Sequence, residues 1–326
     1  MIKNVTIVIG GAGFIGKTLI DRLIVESTDI IVVADNLSNG KTLHLEHHIP
    51  NHRFNFMEND CSNFIECKKV FSYASTLGTV KDVWHLAANS DIPSGIENPN
   101  IDLKDTFNTT FQIVNCIHLY GLERLFFASS SAIYGDCGNV AISEATGPLL
   151  PISNYGAMKL ASEAIISAAA ERFGFSAFLF RFPNVVGSPA THGVILDFCK
   201  KLLRNSSALT VLGNGSQKKA YLHVSDLVDA MLFLSNKSDL EKVFPVNIGP
   251  VDDGVTVRWI AESVVKCMSP TAKIIYGTEP RGWVGDVPKF NYSINKIRQL
   301  GWSPRLTSEE AINKAIIEIA SQLRHY

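Results

Sequence analysis

The chain has 326 residues, 46% hydrophobic and 19% charged; this suffices for one large α/β domain plus a smaller lobe with a substantial core, and it excludes a disordered chain. A formal net charge of -1 leaves no electrostatic footprint for nucleic acid or an anionic membrane, so the expected partner is a small molecule. Six scattered cysteines (Cys61, Cys67, Cys116, Cys137, Cys199, Cys267) lack CxxC spacing and read as reduced thiols of a cytoplasmic protein, not as disulfides or a zinc site.

In chain order, the apolar run Val5–Ile9 is too short to cross a bilayer and leads into glycines instead of a cleavage region, so neither a membrane span nor an export signal is expected. It is the first of six runs with the near-continuous hydrophobicity of buried parallel strands; the others are Ile30–Ala34, Phe54–Met57, Asp82–Leu86, Leu125–Ser129 and Phe178–Phe182. Helical patterns separate them, which predicts right-handed crossovers, a doubly wound parallel sheet of the Rossmann type, and ligand sites beyond the carboxyl ends of the strands. After Phe182 the rhythm is broken by Pro183, Gly187, Pro189 and Gly193, before helical patterns near Val194–Leu203, Val257–Met268 and Ser308–Leu323. Residues 1–182 are assigned to the sheet domain with 221–250 returning to it, and 183–220 and 251–326 to a smaller substrate-binding lobe.

The first run opens into Gly10-Gly11-Ala12-Gly13-Phe14-Ile15-Gly16, then into an amphipathic stretch whose Phe14, Ile15, Leu19, Leu23 and Ile24 can face the sheet. Glycines in a strand–turn–helix context let the backbone approach a pyrophosphate, and the helix N-terminus stabilises its charge. Asp35 closes the second run, nineteen residues after Gly16, where a carboxylate accepts hydrogen bonds from adenosine ribose hydroxyls and repels a 2′-phosphate; this points to NAD. An ordinary glycine turn followed by a surface aspartate would have to combine both features by chance. Asp60, with Cys61 beside it, could approach the adenine, or Asp60 could equally be a helix N-cap.

Tyr155 and Lys159 stand four residues apart at the start of a long apolar helix running to Phe173, on one helix face. A phenol titrates near ~10, so a tyrosine base needs a nearby cation, which Lys159 together with an oxidised nicotinamide would supply. Ser129-Ser130-Ser131-Ala132-Ile133-Tyr134-Gly135 follows the fifth run, and Ser130 can share the reacting proton. A Tyr-x-x-x-Lys pair alone is ordinarily a solvated helix pair, and a serine run a loop; their position after a dinucleotide fingerprint reverses that reading.

With these motifs the sequence resembles the extended short-chain dehydrogenase/reductase superfamily, specifically the nucleotide-sugar epimerase/dehydratase group that includes the UDP-galactose 4-epimerases. The likeness covers nearly the whole chain and adds Asp35-Asn36-Leu37, His85-Leu86-Ala87-Ala88 and Arg181-Phe182-Pro183-Asn184-Val185-Val186-Gly187 to the segments above. It implies that Ser130, Tyr155 and Lys159 are catalytic, with Ser129 and Ser131 as alternatives to Ser130. It also implies that Gly10, Gly13, Phe14, Ile15, Gly16, Asp35, Asn36, Asp60, Cys61, Leu86, Ala87, Ala88 and Ser129 hold NAD alongside Tyr155 and Lys159. Asn184 then meets the substrate diphosphate, Val194 to Phe198 begins the nucleotide-binding lobe, and Tyr134 shapes the sugar pocket. The stretch Gly213 to Tyr221 is similar to the family's glycine hairpin, but Lys219 stands where an arginine is usual and supplies charge without a bidentate fork. Arg281 to Asp286 resembles a terminal phosphate-binding segment with extra residues inserted, so Arg281 is expected on phosphate and Asp286 nearby. Asp105 replaces a usual asparagine. The resemblance further implies a homodimer through the helix before the fifth strand and the Tyr155-bearing helix.

The implied reaction is 4-epimerisation of a UDP-hexose of the glucose/galactose type through a transient 4-keto sugar, with NAD regenerated in each cycle. A 4,6-dehydratase commonly carries an Asp-Glu pair after the catalytic Ser/Thr, and Ser131-Ala132 occupies those positions. A uronate 4-epimerase, a decarboxylase and a reductase keep the same machinery and stay open. A non-catalytic NAD sensor would have no reason to assemble Ser130, Tyr155 and Lys159. His44, His47, His48 and His52 cluster without a recognised ligand pattern or accompanying carboxylate geometry, so they read as a solvated loop and no metal is assigned.

Overall fold

A computed structural model describes residues 3–138, 140–279 and 291–324. At its centre is a seven-stranded sheet made of β1 (Asn4–Ile9), β2 (Ile30–Asp35), β3 (Phe54–Glu58), β4 (Thr79–His85), β5 (Arg124–Ala128), β6 (Ser176–Arg181) and β7 (Val243–Asn247). The strand order is β7-β6-β5-β4-β1-β2-β3, and the pairs β1/β2, β1/β4, β2/β3, β4/β5 and β5/β6 are parallel. Each of the six apolar runs coincides with one of the first six strands. The order reverses direction beside β1, and the crevice beyond the carboxyl ends of β1 and β4 is where a doubly wound sheet binds ligands. Strand β7 is not among the six predicted runs; it lies at the edge of the sheet, where a proline such as Pro245 is tolerated.

Helices α1 (Phe14–Glu26), α2 (Phe64–Leu77), α3 (Thr109–Tyr120) and α4 (Asn154–Phe173) connect the strands. Val70 and Phe71 of α2, Ile113 and Ile117 of α3 and Ile166 of α4 bury themselves in one cluster with side chains of β1, β2, β4 and β5. Elsewhere in the core, Trp84 stacks on Phe126 with centroids 4.1 Å apart.

The chain divides into two compact units. The first comprises Met1–Ile133, Leu149–Arg181 and Leu234–Val246, and the second Tyr134–Pro148, Phe182–Phe233 and Asn247–Tyr326. Residues 221–233, expected with the sheet, lie in the second unit, where the short strand Tyr221–His223 pairs in parallel with Asn184–Val186. Helices α5 (Val194–Arg204), α6 (Val257–Met268) and α7 (Ser308–Arg324) build that unit's core around residues such as Phe198, Leu202, Val264 and Ile316. Among the described residues no helix is long and apolar enough to cross a membrane.

Asp82 of β4 and Arg124 of β5 are register partners, joined by a two-pronged ion pair with Nε–Oδ1 at 2.6 Å and Nη2–Oδ2 at 2.8 Å. Asp82→Ala would leave the guanidinium without its carboxylate, at a cost of about 2 kcal/mol given that Arg124 keeps some contact with solvent. Urea unfolding should show a lower midpoint with an unchanged slope; an unaltered midpoint would mean that this pair adds nothing.

Candidate active site

The glycine turn is shaped by close approach. Gly10 has φ +83°, and a Cβ there would sit 2.5 Å from the Ala87 amide nitrogen. Leu86 and Ala87 both donate to the Ile9 carbonyl, at 2.8 and 3.0 Å, which brings the segment 86–88 against the turn. A Cβ on Gly16 would collide with the Gly10 carbonyl and Gly11. Gly13 precedes α1, no side chain caps that helix and no acidic residue occupies its first turn, so its N-terminus suits an anion. The buried stripe of α1 is Gly16, Leu19, Ile20 and Leu23. Phe14, Ile15 and Ile24, expected to face the sheet, are only partly buried, and Ile20 takes an inward place instead.

Asp35 ends β2 with its carboxylate nearly enclosed, accepting from the Ala12 amide at 2.9 Å and the Leu37 amide at 2.8 Å. Burial pushes its pKa up, against the pull of these two amides. Asn36 is exposed beside it. Asp60 does not cap α2; Asn63 does, accepting from Ile65 and Glu66. Asp60 instead pairs with Lys104 at 2.9 Å and accepts from the Ser62 amide. Desolvation would raise its pKa, but those bonds hold it below the ordinary value. Cys61 is buried next to it.

Ser129 and Ser130 emerge just past β5, and the helix carrying Tyr155 is pressed against them. Ser153 caps α4 by accepting from the Gly156 amide at 3.1 Å, and a Cβ on Gly156 would lie 2.6 Å from the Ala132 carbonyl oxygen. Only glycine next to Tyr155 permits that approach. Ser130 is close enough to Tyr155 for its hydroxyl to favour the phenolate, and its oxygen also accepts from the Ala132 amide at 3.1 Å. Lys159 is 2% exposed; its ammonium donates to the Ala128 carbonyl at 2.6 Å and lies 4.7 Å from the Phe127 ring centroid and 5.8 Å from that of Tyr155.

Two buried carboxyls missing from the sequence reading complete this half. Glu163, one further turn along α4, accepts from Ser129 Oγ at 2.5 Å and from Arg181 Nη2 at 2.6 Å. Asp102 accepts from Asn89 Nδ2 at 2.9 Å, while its Oδ2 has no hydrogen-bond partner. Extending the four-residue spacing of Tyr155 and Lys159 by one step would have found Glu163; nothing in the sequence singles out Asp102. Asp105 lies in a π-helical turn, Leu103–Asn108, 3.6 Å from Lys104.

Burial pushes Tyr155 up to about 12, despite Ser130, with the Asp102 charge adding to the rise. Burial drives Lys159 down to about 7, and Glu163 and Asp102 oppose it. Burial thus disfavours the charged form of both groups, while the preference for the phenolate is expected of Lys159 together with an oxidised nicotinamide.

In the second unit, Asn184 and Tyr221 are register partners, Asn184 exposed and Tyr221 buried. Val194 opens α5 after Gly193. Lys219 pairs with Val255 in a two-residue strand, near a hairpin whose Asn214 carbonyl accepts from Arg258 Nη2 at 3.0 Å. Arg258, absent from the sequence reading, lies over the Tyr276 ring at 3.9 Å. Tyr134 is buried with its hydroxyl donating to Asn247 Oδ1 at 2.7 Å. Arg281 and Asp286 fall outside the described residues. The histidine segment is not uniformly solvated: His44 and His48 are each 8% exposed, and Asp21, distant in sequence, brings a carboxylate against His47 and His48.

A family described as the NAD dependent epimerase/dehydratase family matches residues 6–249. The chain belongs to this family. It is similar to a crystal structure of UDP-galactose 4-epimerase at 33% identity and a TM-score of 0.85, covering 98% of this chain and 99% of that one. The UDP-glucose 4-epimerase of Thermotoga maritima, solved with UDP-glucose, has 27% identity and a TM-score of 0.85 over 98% and 99% of the two chains. UDP-glucuronic acid decarboxylase 1 of Danio rerio is 29% identical over 98% of this chain and 73% of its own.

The residues present fit the family's dinucleotide. The uncapped N-terminus of α1 suits the pyrophosphate, Asp35 retains lone pairs for ribose hydroxyls, and 86–88 lie against the glycine turn, whereas Ser129 is fully buried with its hydroxyl bonded to Glu163. An oxidised nicotinamide beside Tyr155 would bring the positive charge that Lys159 only partly provides.

Gly156→Ala should cost about 1–3 kcal/mol and lower turnover far more than binding of NAD, measured by steady-state assay and cofactor titration; wild-type turnover would show that the close approach is dispensable. For Lys159, the folded pKa of about 7 lies below the unfolded value of ~10.4. Between these limits the unfolded chain binds the extra proton, so stability should rise with pH there by up to about 1.4 kcal/mol per unit. Lys159→Met should flatten that rise in denaturant titrations; identical slopes in the two proteins would contradict the assignment.

Proposed function

We propose that this family member is an NAD-dependent nucleotide-sugar 4-epimerase acting on a UDP-hexose of the glucose/galactose type. The observation that carries the reading is Ser130 beside Tyr155 over the buried Lys159, with Ser131 and Ala132 offering no acid for elimination. Likeness to the UDP-galactose 4-epimerase structure along nearly the whole chain supports the same choice.

NAD held by the N-terminus of α1 and Asp35 would supply the acceptor for the carbon 4 hydride and the donor for its return to either face of the ketone. Tyr155 takes the 4-hydroxyl proton as the carbon–hydrogen bond breaks, and gives it back on reduction. Ser130 shares that proton and orients the hydroxyl. Lys159 makes the phenolate accessible to the extent that Glu163 and Asp102 keep it protonated. Asn184, Lys219 and, from the resemblance alone, Arg281 and Asp286 are assigned to the diphosphate end of the substrate; Tyr134, Val194 and Tyr221 are assigned to the sugar and nucleotide walls. A second copy of the chain is the expected partner, supported by the exposed Leu103, Phe111 and Leu119 along the helical segment that includes α3.

Decarboxylation of a UDP-uronate is the second reading, supported by the likeness to the Danio rerio enzyme, since oxidation at carbon 4 makes a carboxyl at carbon 5 labile. Incubation of the purified protein with UDP-glucose, UDP-galactose and UDP-glucuronate without added NAD, read by NMR, separates the two. Interconversion of the hexoses is expected, with Tyr155→Phe reducing turnover roughly a hundredfold or more while bound NAD is retained. Release of carbon dioxide from UDP-glucuronate alone would replace the epimerase assignment, and an active Tyr155→Phe would remove the mechanism.

A further inference from the structure

A separate group of donors converges on the surface of the first unit, away from Tyr155 on the chain's opening βαβ segment. Asp21 projects from α1, and His47 and His48 close the short 3₁₀ turn Glu46–His48. His47 Nε2 and His48 Nε2 lie 3.0 and 2.8 Å from the same oxygen, Asp21 Oδ1, and one donor atom from each of the three residues lies within 4.8 Å of the others. Consecutive residues of a 3₁₀ turn point about 120° apart. For both imidazoles to turn the same nitrogen toward one carboxylate, with ring centroids 3.9 Å apart, is not an outcome of the turn itself. The nitrogen–oxygen separations approach the spacing of about 3.3 Å between ligands in a tetrahedral zinc site.

We propose that Asp21, His47 and His48 bind one divalent transition-metal ion of the zinc class, with water completing its coordination. Two imidazoles and a carboxylate suit zinc, cobalt or nickel, whereas magnesium and calcium select oxygen. His48 packs against Phe54 at 5.5 Å. Metal uptake replaces the two Nε2 protons facing Asp21, each ring carrying its proton on Nδ1 instead. Lys17, 2.5 Å from Asp21 Oδ2, occupies the other carboxylate oxygen and weakens the site through its charge.

The ion acts as a clamp. The segment leading to His47 is already tied to the glycine turn, since Lys41 N and His44 Nδ1 donate to the Ala12 carbonyl at 3.3 and 2.8 Å. Bound metal fixes the far end of that segment to α1, so the expected role is to stabilise the adenosine side of the first unit without entering the reaction.

The test uses the full chain, untagged and stripped by a chelator, titrated with Zn²⁺ by calorimetry and with Co²⁺ by visible absorption. One equivalent per chain, a raised melting temperature and a tetrahedral Co²⁺ spectrum are expected. His47→Ala, at an exposed position, and Asp21→Asn should each weaken binding roughly tenfold or more, while Lys17→Met strengthens it; circular dichroism checks that each variant is folded. Absence of uptake at micromolar Zn²⁺ overturns the proposal. So does uptake that His47→Ala and Asp21→Asn leave unchanged, which would place the ion elsewhere.

Discussion

The buried amino group of Lys159, under the end of β5, is the constraint around which the surroundings of Tyr155 in the first unit are arranged. Removing such a group from water costs several kcal/mol unless hydrogen bonds and opposite charge offset it. The Ala128 carbonyl, the Phe127 ring face and the Glu163 carboxylate each contribute to that offset. Glu163 is in turn fixed by Ser129 and Arg181. The fold thus ties three consecutive turns of α4 to the ends of β5 and β6, and the position of Tyr155 follows from that anchoring.

The same constraint explains the opposed shifts of Tyr155 and Lys159. In a shared low-dielectric region, each charged form is disfavoured, so phenol and ammonium both move toward neutrality. Positive charge placed beside such a phenol would favour its ionised form. In the reaction proposed above, a cationic nicotinamide next to Tyr155 would therefore couple proton removal to the presence of the hydride acceptor.

Much of this was legible in the residues because the signals are local. The six runs are continuous and apolar since both faces of a central parallel strand are covered, and Gly10, Gly13, Gly16 and Asp35 sit at spacings that a strand, a turn and a helix impose. Tyr155 and Lys159 are readable for the same reason. What escaped depends on distant segments: Glu163 stands at the next four-residue step after Lys159, but its ion pair with Arg181 of β6 is not written in that spacing, Asp102 acquires meaning only when Asn89 reaches it, and Asp21 only when the chain brings His47 and His48 back twenty-six and twenty-seven residues later. Strand β7 contains Pro245, which an edge position tolerates.

Reaction type and substrate identity are encoded in different places, and this is why the first is read more readily than the second. Oxidation at carbon 4 requires only a base, its hydroxyl partner and a hydride acceptor, all supplied from the ends of parallel strands and the start of one helix. Epimerases and decarboxylases can share that set, so their divergence must come from groups that hold the ring, its substituents and the nucleotide. In this chain the residues proposed above for those roles fall on short strands and turns, among them Asn184–Val186, Lys218–Lys219 and Tyr221–His223. Segments of two or three residues carry no periodicity, and a lysine at position 219, in the role proposed for it, would supply charge to a phosphate without the bidentate fork of an arginine.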